Sequence, residues 1–150
     1  MRKEHVDSNP RPYADMLRRL KDAGLRPTRQ RLALGKLLFD SGDRHVTAEG
    51  LHGEVTSKGI KVSLATIYNT LNQFTESGLL REVVVAPGRS YFDTNVSAHH
   101  PFFYEDDGSL QDIPGDQVAL AALPAAPSDE EVARVELIVS LRRANENNSQ

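Results

Sequence analysis

The chain has 150 residues, with 18 Lys plus Arg, 21 Asp plus Glu, no cysteine and a formal net charge of -3. The lack of cysteine excludes disulfides, thiolate metal cages and a cysteine nucleophile. No apolar stretch approaches the roughly 20 residues that cross a bilayer, and the basic first residues are not followed by the apolar region typical of a secretory signal. We therefore expect a cytoplasmic protein without a membrane partner.

Charge is divided unevenly along the chain. Residues 1–92 carry 15 basic and 10 acidic side chains, whereas residues 93–150 carry 3 basic and 11 acidic ones. A basic half can stay beside a polyanion while an acidic half avoids it or gathers cations. Together with a change of sequence texture after Asn95, this division predicts two domains, residues 1–94 and 95–150.

Four helices are predicted in the first domain, after a polar and proline-containing arm of about ten residues that we expect to be mobile. Thr28, Thr47 and Ser63 are suitable N-caps for the last three helices, and Gly24 is a suitable C-terminal cap for the first. Apolar residues recur at helical spacing between these signals. The predicted helices cover residues 13–23, 29–39, 48–58 and 64–77.

A β-hairpin follows the fourth helix. The valine-rich residues 80–86 and the return segment 90–93 flank Pro87 and Gly88, a turn dipeptide. Three helices, a fourth with an unusual surface and then a hairpin are the element order of a winged helix-turn-helix.

The second domain combines strands with a short helix in the prediction. Residues 100–105 and 110–113 flank Asp107 and Gly108, which is a strong hairpin signal. Residues 128–131 fit a capping box for a short helix, and residues 135–141 alternate as a half-buried strand. The fold class is therefore α+β, with a winged helix-turn-helix domain followed by a small α/β domain. Because about fifty residues make a marginal core alone, we expect docking or a homodimer.

The fourth helix has an uncharged outer face. No ionised side chain occurs between Ser63 and Glu76. Uncharged donors and acceptors suit a helix that lies between two phosphate backbones and reaches base edges, where a carboxylate would be repelled. Tyr68, at the edge of the face, is placed to touch a thymine methyl or a phosphate. A neutral surface helix, or a face that binds a protein, is the alternative. The outward residues are expected to be Thr66, Asn69, Thr70, Asn72 and Gln73.

Basic residues lie on both sides of this helix in the sequence and would supply salt-dependent phosphate contacts. The predicted DNA-binding set is Arg29, Arg31, Lys61, Ser63, Thr66, Tyr68, Asn69 and Arg89.

Histidines form the second candidate site. His99 and His100 adjoin just before a predicted strand, Asp93 precedes them, and His45 is expected in a loop between the second and third helices. Imidazole with carboxylate suits iron, manganese or zinc, and imidazole also ligates haem iron. Two exposed or capping histidines are the alternative. No HExxH element or evident general base is present, so we predict no enzyme and no catalytic residue.

Four segments together resemble the ferric uptake regulator family. They are GLRPTRQRLALGKLLF (residues 24–39), DRHVTAEGLH (43–52), SLATIYNTLNQFTESGLL (63–80) and the hairpin ending in YFDTN (91–95). The missing cysteines, the YNTLNQF wording and the AHHPFFYED stretch most resemble the iron response regulators of alphaproteobacteria.

The resemblance implies a homodimeric repressor or activator that binds a palindromic operator in double-stranded DNA. Its recognition helix carries an A-T-x-Y element, residues 65–68 here, followed by Asn69 where metal-sensing members often have Arg. The resemblance also implies an inter-domain site for iron, manganese or haem. The ligand positions map onto His45, Asp93, His99 and His100.

The sequence departs from the family pattern at two expected histidine positions and in its lack of cysteine. Phe102 stands where a further histidine ligand is expected, and Pro101 stands where the iron response regulators have a third consecutive histidine. The structural zinc site made of two CxxC pairs cannot form. A zinc- or peroxide-sensing relative remains an alternative within the family.

Overall fold

The computed structural model describes residues 13–97 and 99–144, so the arm expected at the start of the chain lies outside the described residues. The chain divides into two compact units, one reaching Val96 and the other beginning at Ser97. The first holds helices and a sheet, and the second holds a small sheet, which confirms the predicted α+β class.

Eleven elements occur in the described residues. In chain order they are α1 (Ala14–Asp22), α2 (Arg29–Phe39), β1 (His45–Val46), α3 (Ala48–Ser57), α4 (Leu64–Glu76), β2 (Arg81–Ala86), β3 (Arg89–Asp93), β4 (His100–Tyr104), β5 (Leu110–Ile113), a 3-10 turn (Gly115–Gln117) and β6 (Val139–Leu141).

Side-chain caps begin the last three helices. The Thr28, Thr47 and Ser63 hydroxyls accept hydrogen bonds from backbone N–H groups three residues on, at 3.1, 3.0 and 3.1 Å. Each cap satisfies one of the N–H groups that a helix start leaves without an intrahelical partner. All three predicted N-caps are confirmed, and Gly24 ends α1 in the left-handed region with φ of 77°.

The first unit contains an antiparallel sheet of order β1-β3-β2. Strand β3 pairs with β2 in the predicted hairpin, and a bulge lies between Val84 and Ala86. Strand β1 was not predicted, so the expectation that His45 lies in a loop was wrong. Two residues are too few for a recognisable alternation, and β1 exists only because β3 supplies its partner.

One apolar core joins the helices and the sheet of the first unit. Gly35 of α2 lets α1 approach closely, because a Cβ there would lie 2.6 Å from the sulfur of Met16. The buried members are Met16, Leu20, Leu34, Leu38, Val46, Ala48, Leu51, Val55, Ile67, Leu71, Phe74, Leu80 and Phe92. Three of them, from α4, hold the helix so that its remaining faces are presented outward.

The second unit is built on a three-stranded sheet of order β5-β4-β6, in which β4 and β5 form the predicted hairpin. Strand β6 runs parallel to β4 and covers three residues instead of the seven predicted, because only Phe102–Tyr104 of β4 pairs with it. The helix predicted at residues 128–131 is absent, and Asp129 has φ of 77°. So short a helix needs an apolar face packed on a core, and Val132 beyond it is exposed.

In the described part of the chain, we find no helix with the length and apolar character needed to span a membrane.

Candidate nucleic-acid interface and metal ligands

Helix α4 is anchored by its apolar side and capped by Ser63. Ile67, Leu71 and Phe74 are fully buried, which places one face of the helix in the core. The Ser63 hydroxyl also lies 2.9 Å from the Thr66 hydroxyl, so the first turn has a hydrogen-bonded polar edge. A helix fixed in this way presents its remaining side chains in one orientation.

The exposed face of α4 is uncharged over residues 64–75. Its exposed polar members are Tyr68, Asn69, Asn72 and Gln73, while Thr66 is half-buried. Amide side chains can donate and accept, which allows hydrogen bonds to several base edges. This face therefore has the chemistry needed to read bases.

Thr70 does not belong to the outer face, and its expected exposure was wrong. It is buried, and its hydroxyl donates to the backbone oxygen of Thr66 at 2.9 Å. Helical geometry explains the difference, because residue 70 lies three residues after Ile67 and four before Phe74 and so shares their buried side.

Tyr68 is tied to α3 through Glu49. Its hydroxyl donates to Oε1 of Glu49 at 2.6 Å. This hydrogen bond raises the pKa of Tyr68 above its ordinary value and lowers the pKa of Glu49. Sequence reasoning missed Glu49, because nothing in a single sequence links a first-turn acid of one helix to a tyrosine nineteen residues later.

Arg31 joins α2 to the exposed face of α4. Its guanidinium donates to the side-chain oxygen of Gln73 at 2.8 Å and to the backbone oxygen of Arg26 at 2.7 Å. The side chain therefore positions α4 in addition to carrying positive charge. The predicted phosphate contact would use the donors that these two bonds leave.

The remaining predicted basic residues line two clefts of the first unit, and one of these clefts includes side chains of α4. Arg29 and Lys61, both exposed, line one cleft together with Ile60 and Val62. Arg89, exposed at the hairpin turn, lines another cleft together with Tyr68 and Asn72 of α4. Arg31 and Arg89 are thus the predicted basic residues that the fold places directly beside side chains of α4.

His45 and Asp93 form a pair within the first unit. They are register partners in β1 and β3, and Nε2 of His45 lies 3.1 Å from Oδ2 of Asp93. The Asp93 side chain is 1% exposed, and its Oδ1 accepts from the backbone N–H of Asn95 at 2.8 Å. A buried carboxylate facing an imidazole is a donor pair that suits iron, manganese or zinc.

His99 and Asp112 form a second pair, within the second unit. Nε2 of His99 lies 3.0 Å from Oδ1 of Asp112, and Nδ1 of His99 lies 2.7 Å from the backbone oxygen of Ser97. Asp112 was not among the candidate ligands named from the sequence. The signal was available, because the hairpin register pairs Pro101 with Asp112 and so brings this carboxylate to the start of β4.

His100, the remaining predicted ligand, differs from its neighbour. It begins β4, and its Nδ1 is buried without a hydrogen-bond partner in the described residues. A buried imidazole nitrogen without a partner is costly, since it has lost water and gained nothing.

Comparison with known proteins identifies a matching family and solved structures with the same fold. Residues 22–135 match the ferric uptake regulator family. The ferric uptake regulation protein of Vibrio parahaemolyticus is 36% identical over 81 residues, which cover 54% of this chain and 54% of that protein. The matched part of the chain thus spans about half the length of this relative.

Solved structures superpose over more of the chain. The ferric uptake regulator of Vibrio cholerae has a TM-score of 0.68 and 24% identity, covering 86% of this chain and 100% of that one. The ferric uptake regulator of Pseudomonas aeruginosa, solved with manganese, has a TM-score of 0.65 and 22% identity, covering 85% and 97%. At these identities the likeness shows the fold. Because the family match covers most of the sequence, the chain belongs to the ferric uptake regulator family.

Proposed function

We propose that the protein is a dimeric, sequence-specific regulator that binds double-stranded DNA and responds to iron status. The observation that carries this proposal is the exposed face of α4, which is uncharged over twelve residues of a chain in which charged residues are 26%. An ordinary solvated helix face of this length carries ionised residues. A helix that enters the major groove gains from amides and hydroxyls there.

Recognition and attachment are assigned to different residues. Thr66, Tyr68 and Asn69 are proposed to face base edges in the groove, and Ser63, at the start of α4, is proposed to lie beside a phosphate. Arg29, Arg31, Lys61 and Arg89 are the proposed phosphate contacts. Contacts to phosphate release counterions, so affinity should fall steeply with salt and be largely independent of base sequence. Base specificity should depend on the first set and not on the basic residues.

The second unit is proposed to supply the homodimer contact. Strand β6 lies at the edge of its sheet, and an edge strand can pair with a second copy. Leu120, Leu123, Val132 and Val135 are exposed, and a partner copy would cover such apolar side chains. A twofold dimer presents two copies of α4, which requires a palindromic operator with half-sites about one helical turn apart.

We propose that the histidine–carboxylate pairs bind the signal metal. The donors are imidazole nitrogens and carboxylate oxygens, which fit manganese, iron or zinc, and the chain has no cysteine for a structural zinc site. His45 and Asp93 would supply ligands from the first unit, and His99, His100 and Asp112 from the second. A bound ion would supply positive charge to the carboxylates that hold it. Metal binding would favour the state of the protein that holds the ion more tightly, and so would change the affinity for the operator.

Haem is the second candidate signal, and His100 is the observation that favours it. Its buried Nδ1 without a hydrogen-bond partner in the described part of the chain is a nitrogen that iron could take. His99 is a less suitable axial ligand, because both of its ring nitrogens already face oxygen atoms.

The test is selection of binding sites from random DNA duplexes, followed by affinity measurements over a range of salt concentrations. We expect a palindromic site, strong salt dependence, and loss of site preference in Tyr68→Ala and Asn69→Ala variants. Gln117→Ala, which removes an exposed amide from the second unit, is the matched control and should bind normally. Binding of all duplexes alike, or of none, would refute the proposal and favour a protein-interaction module.

The signal is tested on the same protein with Mn²⁺ and, separately, with haem. Calorimetry with Mn²⁺ and the haem absorbance spectrum are recorded for the wild type and for His45→Ala, His99→Ala and His100→Ala. Loss of Mn²⁺ binding in all three variants supports the metal proposal. A change in the haem spectrum confined to His100→Ala supports haem instead.

A further inference from the structure

The contact between α3 and α4 made by Glu49 and Tyr68 has consequences for how DNA would be read. Glu49 is the second residue of α3, and its carboxylate accepts the Tyr68 hydroxyl proton at 2.6 Å. Tyr68 is 39% exposed, so its ring is held at the surface of the recognition helix and not in the core. Both residues line a cleft that also contains Asn72 and Arg89.

Tyr68 could contact DNA through its hydroxyl or through its ring, and this hydrogen bond makes the hydroxyl unsuitable. A tyrosine hydroxyl can donate one hydrogen bond, and here it donates that bond to the Glu49 carboxylate. A phosphate that approached the hydroxyl would find no donor and a negative charge beside it. The ring is therefore the part of Tyr68 that remains suitable for DNA contact.

The same hydrogen bond restricts the motion of the ring. An exposed tyrosine samples several rotamers, and ordering it on binding costs free energy. A partner on a second helix fixes the ring before DNA arrives, since both ends of the side chain are then held.

We propose that Glu49 is a positioning residue for sequence recognition, which holds the Tyr68 ring against α3 so that the ring, and not the hydroxyl, meets a thymine methyl group. The inference rests on the proposed DNA-binding function. It adds a residue outside the recognition helix to the determinants of specificity, and it assigns an acidic side chain a favourable role at a surface that meets a polyanion.

Glu82 provides a matched control within the same cleft. Its carboxylate also accepts a hydroxyl proton, from Ser90 at 2.7 Å, but this bond lies within the β2–β3 hairpin and does not involve Tyr68. Glu82→Gln therefore removes an equal charge from the same cleft without releasing the ring.

The experiment compares the selected operator with copies in which single thymines are replaced by deoxyuridine, which lacks only the methyl group. We expect the wild type to prefer thymine about fourfold at one position per half-site, the factor that burial of one methyl group provides. Glu49→Ala and Tyr68→Phe should lose this preference. Glu49→Gln, which can still accept the hydroxyl proton, and Glu82→Gln should retain it.

Two further measurements separate positioning from charge. In a double-mutant cycle, Glu49→Ala should cause no additional loss of thymine preference in the Tyr68→Phe background. In DNA-free protein, Glu49→Ala should lower the pH at which the Tyr68 phenolate forms, measured as the absorbance difference from Tyr68→Phe. If Glu49→Ala left the pH of Tyr68 phenolate formation unchanged, the inference would be overturned.

The outcomes distinguish the inference from the function on which it rests. A wild type without operator preference refutes the proposed function. A wild type that has operator preference, together with a Glu49→Ala variant that keeps full thymine preference, refutes the role of Glu49 alone. Loss of the thymine preference in both Glu49→Gln and Glu82→Gln would show a general charge effect and would also refute it.

Discussion

Ser63 gives a prediction in which capping and DNA contact can be separated. Its hydroxyl accepts the backbone N–H of Thr66 at 3.1 Å and lies 2.9 Å from the Thr66 hydroxyl. Removal of such a cap costs about 1 kcal/mol. In a domain of this size, Ser63→Ala should therefore lower the melting temperature by roughly 4–8 °C.

Ser63→Asp should preserve the stability of the protein but weaken its binding to the operator. Aspartate is as good an N-cap as serine, and its charge is favourable at a helix start, so the free energy of unfolding should equal or exceed that of the wild type. The same charge placed beside a phosphate should weaken operator binding about fivefold, since an exposed like-charge contact costs on the order of 1 kcal/mol.

Stability is measured by far-UV ellipticity during thermal and urea unfolding, which reports on the first unit because every α-helix in the described ranges lies there. Thr47→Ala, which removes the equivalent cap of α3, sets the scale for loss of a cap. A Ser63→Asp protein as unstable as Ser63→Ala would refute the capping argument. A stable Ser63→Asp protein with undiminished operator affinity would refute the placement of Ser63 beside a phosphate.

Three further outcomes are expected. Leu71→Ala, at a fully buried α4 position, should lower the unfolding free energy by about 2–5 kcal/mol in urea, and a loss below about 1 kcal/mol would contradict the packing. His45→Ala should reduce Mn²⁺ affinity at least about tenfold by calorimetry, whereas His52→Ala should not. Because hydrogen bonds from Ser109 lower the pKa of Asp107 from 3.8, their stabilisation is present above that pH and is lost as pH falls through the lower folded value. Ser109→Ala should therefore raise the Asp107 pKa in an NMR titration and destabilise the second unit only above that range.

Local signals predicted much of the first unit. The N-caps at Thr28, Thr47 and Ser63 act over three residues, so they are legible in the sequence, and all three are present. The second unit was predicted less well beyond its hairpin. The helix expected at residues 128–131 had a suitable cap but no apolar face that could be buried, and a cap alone does not offset the cost of helix nucleation.

The amino-acid sequence by itself determined the order of the four helices and the hairpin of the first unit, the ends of those helices and the uncharged character of α4, because each depends on neighbours within about four residues. The tertiary structure decided which groups meet across longer separations. It placed Glu49 under the hydroxyl of Tyr68, His45 opposite Asp93 through a two-residue strand, and Asp112 beside His99. The first two contacts depend on helix packing and on the pairing of a two-residue strand, which are set by the burial of the whole core and leave no local pattern in the sequence. The third follows from the register of the β4–β5 hairpin.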